Sequence, residues 1–300
     1  MKTLTLQAPA KLNLFLRVCN KRPDGYHNIE TIFEKIDLCD TLTLAPRAQG
    51  IKVVCRRKSV PSGRRNLCYR AAQALLAHTH CPRGVEIIIR KRIPVAAGLG
   101  GGSSDAASAL IGINILLGLN VPRKELFTLA QGLGADVPFF IIDASRAVGR
   151  GKGEILTPVK VKAKNWYVLA LPKGLEFSTR AMYQHPKITL TKRPYGAKII
   201  LCALEKNDLT AFGKYSYNSF EGILHQKNRT VFAIKKALSS LGVRAALMSG
   251  SGPCVFGVVA SGKEAQRVSK ALRKINRTWQ VIVARTNSKR RTTEHGNHRG

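Results

Sequence analysis

Ile93-Pro94-Val95-Ala96-Ala97-Gly98-Leu99-Gly100-Gly101-Gly102-Ser103-Ser104-Asp105-Ala106-Ala107 is the stretch that decides how this 300-residue chain is read. A strand-like run, Val85 to Arg90, leads into it, and a helix-like run, Ala106 to Leu117, leaves it. Between them four glycines fall within five residues, followed by two serines. Glycine admits positive φ and lets a ligand approach the main chain closely. Ser103 or Ser104 is the expected N-cap, with Asp105 in the first helical turn. A helix start carries unpaired N–H groups and a partial positive charge, which suits a phosphate. The stretch reads as a cradle for the phosphates of a nucleotide. The plainer alternative is a flexible turn between strand and helix.

Two other phosphate loops are excluded. A Walker loop ends in Gly-Lys-Ser/Thr, and no such triplet follows these glycines. Gly151-Lys152 is followed by Gly153, and Arg146 stands where the first glycine of that pattern belongs. The dinucleotide fingerprint fails because Ser103 occupies its third glycine position.

The length fits one large domain or two medium ones, and 44% hydrophobic residues suffice for packed cores. No apolar run reaches the roughly 20 residues needed to cross a bilayer. Met1-Lys2-Thr3-Leu4 leads straight into a strand pattern without a signal-peptide core, so a soluble cytoplasmic protein is expected. Seven cysteines without C-x-x-C spacing argue against a zinc site or a disulfide framework and for reduced thiols. The charge is extreme: 50 basic against 17 acidic residues, a net +33. That excess suits anionic partners, through non-specific attraction to nucleic acid or the gathering of anionic substrates. A general basic bias without a specific role explains it equally well. The tail, 287–300, with Lys289-Arg290-Arg291, is expected to be disordered.

Several further residues stand out. On a strand through Ala8-Pro9-Ala10-Lys11-Leu12-Asn13-Leu14, Lys11 and Asn13 share one face, opposite Leu12 and Leu14. They mark a site or a solvated strand face. Arg22-Pro23-Asp24-Gly25 is a turn that presents Tyr26 and His27, an aromatic able to stack on a base and an imidazole able to bond its edge. Ile29 to Leu44 reads as strand, loop and strand, with Asp37 and Asp40 in the middle. Asn66 is a natural N-cap for a helix through His78. In Gly134-Ala135-Asp136-Val137-Pro138-Phe139, Asp136 lies between a glycine turn and an apolar run read as a strand. A carboxylate buried there needs a cation, and Lys11 is the candidate. Arg146 to Glu154 reads as a loop.

Past residue 159 come a strand at Asn165 to Leu171, a helix start at Ser178, and an amphipathic helix from Thr230 ended by Gly242. Ala245 to Val259 reads as a hairpin with a Ser249-Gly250-Ser251-Gly252-Pro253 tip, followed by a last helix and a last strand. Irregular alternation with hairpins at both ends favours two α+β domains, 1–158 and 159–286, over one doubly wound sheet.

Pro9 to Leu14, Pro94 to Ala107 and Met248 to Phe256 occur together and in this order. Jointly they resemble the three motifs of the GHMP kinase superfamily, over roughly residues 4 to 285. Arg22 to His27 and Gly134 to Phe139 resemble the branch that phosphorylates the 2-hydroxyl of a cytidylyl-methylerythritol alcohol in non-mevalonate isoprenoid synthesis. The resemblance implies an N-terminal domain like ribosomal protein S5 domain 2, a ferredoxin-like C-terminal domain, and ATP with Mg²⁺ in the cleft between them. It implies Lys11 and Asp136 as catalytic residues. Asp136 takes the hydroxyl proton while Lys11 holds the carboxylate and attracts the transferring group. It implies ATP contacts from Asn66, near the adenine, and from Pro94, Val95, Ala96, Ala97, Gly98, Leu99, Gly100, Gly101, Gly102, Ser103 and Ser104. Substrate contacts fall to Asn13, Tyr26, His27, Thr179 and Tyr183, with Tyr26 and Tyr183 sandwiching the cytosine. No carboxylate of the loop helix is dedicated to Mg²⁺, which leaves the metal to phosphates and water. A monomer or a homodimer fits equally.

Two other readings compete. A different small-alcohol kinase of the superfamily would have no use for the Tyr26-His27 loop, since its substrate carries no base. A basic S5-like RNA-binding protein would account for the charge but would give Lys11, Asp136 and the glycine stretch no role.

Overall fold

The computed structural model describes residues 3–160, 164–185, 188, 196–224, 229–287 and 294–296. Its first part runs β1 (Thr3–Lys21), β2 (His27–Arg47), β3 (Ile51–Cys55), α1 (Leu67–His78), β4 (Gly84–Arg90), α2 (Gly101–Leu116), α3 (Arg123–Leu133), α4 (Val137–Ile141), β5 (Arg146–Arg150) and β6 (Ile155–Val159). Its second part runs β7 (Trp166–Pro172), α5 (Thr179–Gln184), α6 (Ala197–Glu205), α7 (Leu209–Tyr215), α8 (Glu221–Leu224), α9 (Arg229–Ser240), β8 (Ala245–Met248), β9 (Val255–Val259), α10 (Gly262–Ile275) and β10 (Trp279–Arg285), and closes on β11 (Glu294–Gly296). No helix among the described residues is long and apolar enough to cross a membrane.

The first sheet joins β11, β1, β2, β4 and β3 in that order, and β5 and β6 extend it from β2. One face alternates Leu4, Leu6, Leu42, Leu44, Val85 and Ile87 into a core shared with α1 to α4. That period-two burial is what turns these runs into strands. The second sheet has the order β10-β7-β9-β8, all antiparallel. With α9 and α10 it makes a βαββαβ unit, into which α5 to α8 are inserted before α9. A second apolar cluster mixes Leu12, Leu14, Ile32 and Ile36 of the first sheet with Tyr167, Leu169 and Phe256 of the second, so the two sheets share an apolar seam.

Five local expectations are corrected. The helix after the glycines starts at Gly101, and its N-cap is Gly100 at φ +66°, not a serine. The main chain turns in the left-handed region there, which a glycine does without strain. Ile29 to Leu44 belongs to one continuous strand, β2. Its register against β1 slips between Pro9 and Ala10, so that Asp37 and Leu38 bulge out of the ladder. Arg146 to Arg150 is a strand paired with Thr31 to Glu34. A Cβ on Gly149 would stand 2.7 Å from the Phe33 ring, which accounts for a glycine that reads as loop. Val137 to Ile141 is a short buried helix rather than a strand, a distinction that a five-residue apolar run does not carry. In the tail, Glu294 to Gly296 pairs with Thr3 to Thr5 on the open edge of β1. The remainder of 288–300 lies outside the described residues, as does most of 186–195. All seven cysteines are free thiols.

A buried polar network pins the sheets together at Glu34 of β2. Arg146 of β5 donates to its Oε2. Tyr167 of β7 and Thr286 beyond β10 donate to its Oε1, each at 2.6 Å. Both Glu34 and Arg146 are fully buried. Removing one member of a buried pair strands the other's charge. Glu34→Ala should therefore destabilise the protein by about 3–5 kcal/mol in denaturant unfolding; a loss under about 1 kcal/mol would contradict this role.

Candidate active site

The site grows from the bulged middle of β1. Lys11 is only 4% exposed. Its main-chain N–H donates to the Leu99 carbonyl at 2.9 Å, which docks the glycine stretch on the strand. Its ammonium donates to Asn13 Oδ1 and stands 3.3 Å from Asp136 Oδ2 and 5.4 Å from the centre of the Phe33 ring. Asn13 Nδ2 in turn donates to Thr31 Oγ1 at 2.8 Å, and Thr31 Oγ1 donates to the Phe15 carbonyl at 2.7 Å. The chain from strand backbone to ammonium is thus fully bonded, which fixes where the charge sits. Asp136 caps α4 by position and keeps 35% of its side chain open to the cleft. It is less buried than its apolar flank suggested.

The glycine stretch is clamped between β1 and the hairpin of the second sheet. Ser249 Oγ donates to the Gly98 carbonyl at 3.0 Å, and Cys254 N donates to the Ala97 carbonyl at 3.3 Å. A Cβ on Gly98 would lie 2.1 Å from the Ser249 carbonyl, and one on Gly100 would lie 2.9 Å from Lys11 Cγ. These two positions therefore need glycine for close approach as well as for positive φ. Ala96, exposed at the cleft, also holds a left-handed φ of +53°. Asn218 ties off the hairpin by donating to the Met248 and Gly250 carbonyls, each at 2.8 Å.

Beneath the start of α2 lies a cation between two carboxylates. Lys91 donates to Asp40 Oδ2, and to Asp105 Oδ2 at 2.7 Å. Asp40 Oδ1 accepts the N–H groups of Arg92 and Ile93. The triad thus ties the β4 exit and the α2 entry to β2. Burial pulls the Lys91 ammonium down, but Asp105 and Asp40 together raise it above its ordinary value. Burial pushes Asp105 up to about 7; Lys91 opposes the rise and the Asp40 charge adds to it. One ammonium between two carboxylates leaves one negative charge over, which adds to the burial that favours the protonated form of Asp105.

At the far end of the cleft, the rings of His27 and Tyr183 stack with centroids 5.7 Å apart, and Tyr183 meets Phe220 edge-on. Burial, then the Lys21 charge, lowers His27 below the ordinary imidazole value. Its Nδ1 is buried without a partner among the described residues. Burial, then the Asp136 charge, raises the Tyr183 hydroxyl. Tyr26 is 60% exposed, with the Lys152 ammonium 4.7 Å from its ring centre. Tyr183 packs on His27 while Tyr26 stands out on its turn. Thr179 Oγ1 lies 2.8 Å from Ser251 Oγ, which joins α5 to the hairpin.

These groups line one cleft of about 1110 Å³. Its wall includes Lys11, Asn13, Tyr26, His27, Asn66, Pro94 through Ser103, Asp136, Thr179 and Tyr183. Ser104 is the exception. It is fully buried in α2, away from the cleft, and its N–H closes onto the Gly100 carbonyl because the helix starts earlier than expected. Asn66 does cap α1, accepting from Cys68 N at 2.8 Å and donating to the Pro61 carbonyl at 2.8 Å. Lys91, Lys152, Arg180, Gly250 and Ser251 also line the cleft and were not singled out from the sequence as site residues. No group of three or more acidic, histidine or cysteine side chains among the described residues is arranged to hold a metal.

The profile of the GHMP kinases N terminal domain matches residues 66–143, and that of the GHMP kinases C terminal domain matches 200–278. The chain is 40% identical over 292 residues to the 4-diphosphocytidyl-2-C-methyl-D-erythritol kinase of Geobacter metallireducens, covering 95% of this chain and 99% of that protein. It is also 40% identical over 290 residues to the kinase of the same name from Moorella thermoacetica, covering 95% and 100%. A crystal structure of 4-(cytidine 5'-diphospho)-2C-methyl-D-erythritol kinase superposes with a TM-score of 0.81 at 36% identity, covering 95% of this chain and all of that one. The homoserine kinase of Cytophaga hutchinsonii shares the fold, with a TM-score of 0.75 at 19% identity and 97% of each chain covered.

The triad yields a pH prediction. The ordinary carboxyl value is 3.8 and the folded value of Asp105 is about 7, so the native state keeps a proton that the unfolded chain releases. That contribution is fully present below about pH 4 and is lost as the pH rises through about 7. Denaturant midpoints should fall over this window in the wild type. Asp105→Asn should flatten the profile between about pH 4 and 7; an unchanged slope would refute the assignment.

Proposed function

The chain belongs to the GHMP kinase family, and from that premise we propose that it transfers the γ-phosphoryl group of ATP to the 2-hydroxyl of 4-diphosphocytidyl-2-C-methyl-D-erythritol, a step of non-mevalonate isoprenoid synthesis. The observation that carries the reading is the Lys11 ammonium 3.3 Å from the Asp136 carboxylate, in the same cleft as the glycine stretch. Phosphoryl transfer asks a protein chiefly to position two reactants and to stabilise spreading negative charge.

In this reading the main-chain N–H groups from Gly98 to Ser103, at the start of α2, receive the ATP phosphates. Asn66 and Pro94 to Ala97 flank the nucleotide. Asp136 accepts the proton of the attacking hydroxyl through its half-open oxygen. Lys11 keeps that carboxylate oriented and offers its remaining N–H to the transferring group. Asn13, bonded to Lys11 and Thr31, holds the alcohol from below. His27, its imidazole biased towards the neutral form and its Nδ1 unpartnered, reads the cytosine edge. The base packs on the Tyr183 face, and Tyr26 closes over it by moving on its turn, so the sandwich belongs to the loaded state. Thr179 supports the substrate from α5.

Mg²⁺ fits as a companion of ATP: it neutralises phosphate charge, held by the phosphates and water. Asp105, the carboxylate nearest the loop, is already paired with Lys91. We assign 1–158 and 159–286 as the two working domains, and the cytoplasm, where ATP is at hand, as the compartment.

Asp136→Asn preserves the shape of the site and removes the base. It should lower kcat by about 10²–10⁴-fold in a coupled ATP-consumption assay with the cytidylyl substrate. ATP binding should stay within about threefold. Full turnover in that variant would remove Asp136 from the mechanism.

A further inference from the structure

The kinase reading leaves the charge of +33 unexplained. Its densest regular feature is the outer face of α10. Lys263, Arg267, Lys270 and Lys274 follow one another at steps of four, three and four residues, and all are exposed. On a helix that spacing makes one stripe, with a cation about every 5 Å along the axis. Exposed Arg277 continues it past the helix end, beside exposed Lys173, whose N–H donates to the Thr278 carbonyl. Glu264 is the one acid of the helix. It is engaged at the N-terminus, accepting from Ala260 N, and its other oxygen lies 3.9 Å from Arg267. Among the described residues, Lys263, Lys270 and Lys274 have no ion pair.

Within the fold, Arg267 Nη2 donates to the Leu241 carbonyl at 3.0 Å, whereas the three lysines have no such partner among the described residues. A lysine in the first turn opposes the helix dipole, and like charges three and four residues apart repel. Only the last-turn cations Arg273 and Lys274 favour the helix. The stripe therefore weakens the helix that carries it, unless an external polyanion offsets the repulsion. We propose that this face binds the phosphate backbone of RNA without reading its bases. The apolar side of α10, Ala265, Val268 and Leu272, is buried in the core, so nothing there enters a lipid layer except the edge of Ile275, which is 52% exposed. Trp279 is 6% exposed, and the half-buried Trp166 ring, which packs against Gly262 at the helix start, already has the Arg285 guanidinium 5.7 Å from its centre, so neither ring is offered freely for a base to stack on. No residue of α10 lines the cleft, so binding and phosphoryl transfer are separable.

The test uses the full chain and a labelled 20-nucleotide oligouridine, titrated from 50 to 200 mM salt. One variant carries Lys263→Gln, Arg267→Gln, Lys270→Gln and Lys274→Gln. A second removes the same total charge elsewhere, at exposed Arg47, Arg70, Arg90 and Lys206. The stripe variant should lose about 3 from the slope of log affinity against log salt and bind at least about tenfold more weakly. The second variant should lose less than about 1, and both should retain wild-type kinase turnover. Equal losses in the two variants would reduce the affinity to net charge and overturn the proposal. Stripe-dependent binding to phosphatidylserine vesicles with no stripe-dependent binding to the oligomer would overturn it as well.

Discussion

A lysine ammonium held almost entirely out of water is the constraint around which the rest is arranged. Lys11 sits on a central strand, and burying a charge is tolerable only with partners fixed in place. Asn13 comes from the same strand, Asp136 from the cap of α4, and the Phe33 ring from the strand opposite. Each requirement propagates. The glycine stretch must pass within contact of the lysine stem, which excludes a side chain at Gly100. It must also pass under the Ser249 carbonyl, which excludes one at Gly98. The second sheet thus reaches β1 through its hairpin, and the glycine stretch that leaves the first sheet is shaped by contacts with the second.

A chain with only 17 acidic residues places several of them beside buried cations. Glu34 receives Arg146, Asp40 and Asp105 flank Lys91, and Asp136 faces Lys11. All three arrangements lie on or against the middle strands of the first sheet. The Glu34 network sits beside Phe33, whose main chain pairs with Asn13. The network that joins the two sheets is therefore one residue away from the ring beside the Lys11 ammonium. The Lys91 triad, in turn, anchors the two ends of the glycine stretch. The cleft owes its shape to buried polar contacts at its edges as much as to apolar packing behind it.

The sequence carried much of this plainly. Polar–apolar alternation marked the first strand, Asn66 and Ser178 announced helix starts, and the glycine stretch marked the turn into α2. The pairing of Lys11 with Asp136 followed from the scarcity of acids and from an apolar flank. What stayed hidden depended on partners far away in the chain. Asp37 and Asp40 looked like loop residues because their charges are answered by Arg285 and Lys91. Gly149 looked like a turn because nothing local shows the Phe33 ring that crosses it. Asn218 gave no local signal at all, since its worth lies in two carbonyls some thirty residues ahead. Ser104 lies in the core for a geometric reason: α2 is capped at Gly100, three or four residues before the expected serine caps, which turns that side chain away from the cleft. Tyr183 also meets His27, a contact between segments more than 150 residues apart that no local pattern shows.

The most direct measurement follows the phosphoryl group itself. The protein is incubated with ATP, Mg²⁺ and 4-diphosphocytidyl-2-C-methyl-D-erythritol, and the products are read by phosphorus NMR. The account predicts one new phosphomonoester, on the tertiary 2-hydroxyl, formed in step with ADP. A phosphate on another hydroxyl, or ADP released without any phosphorylated alcohol, would contradict it.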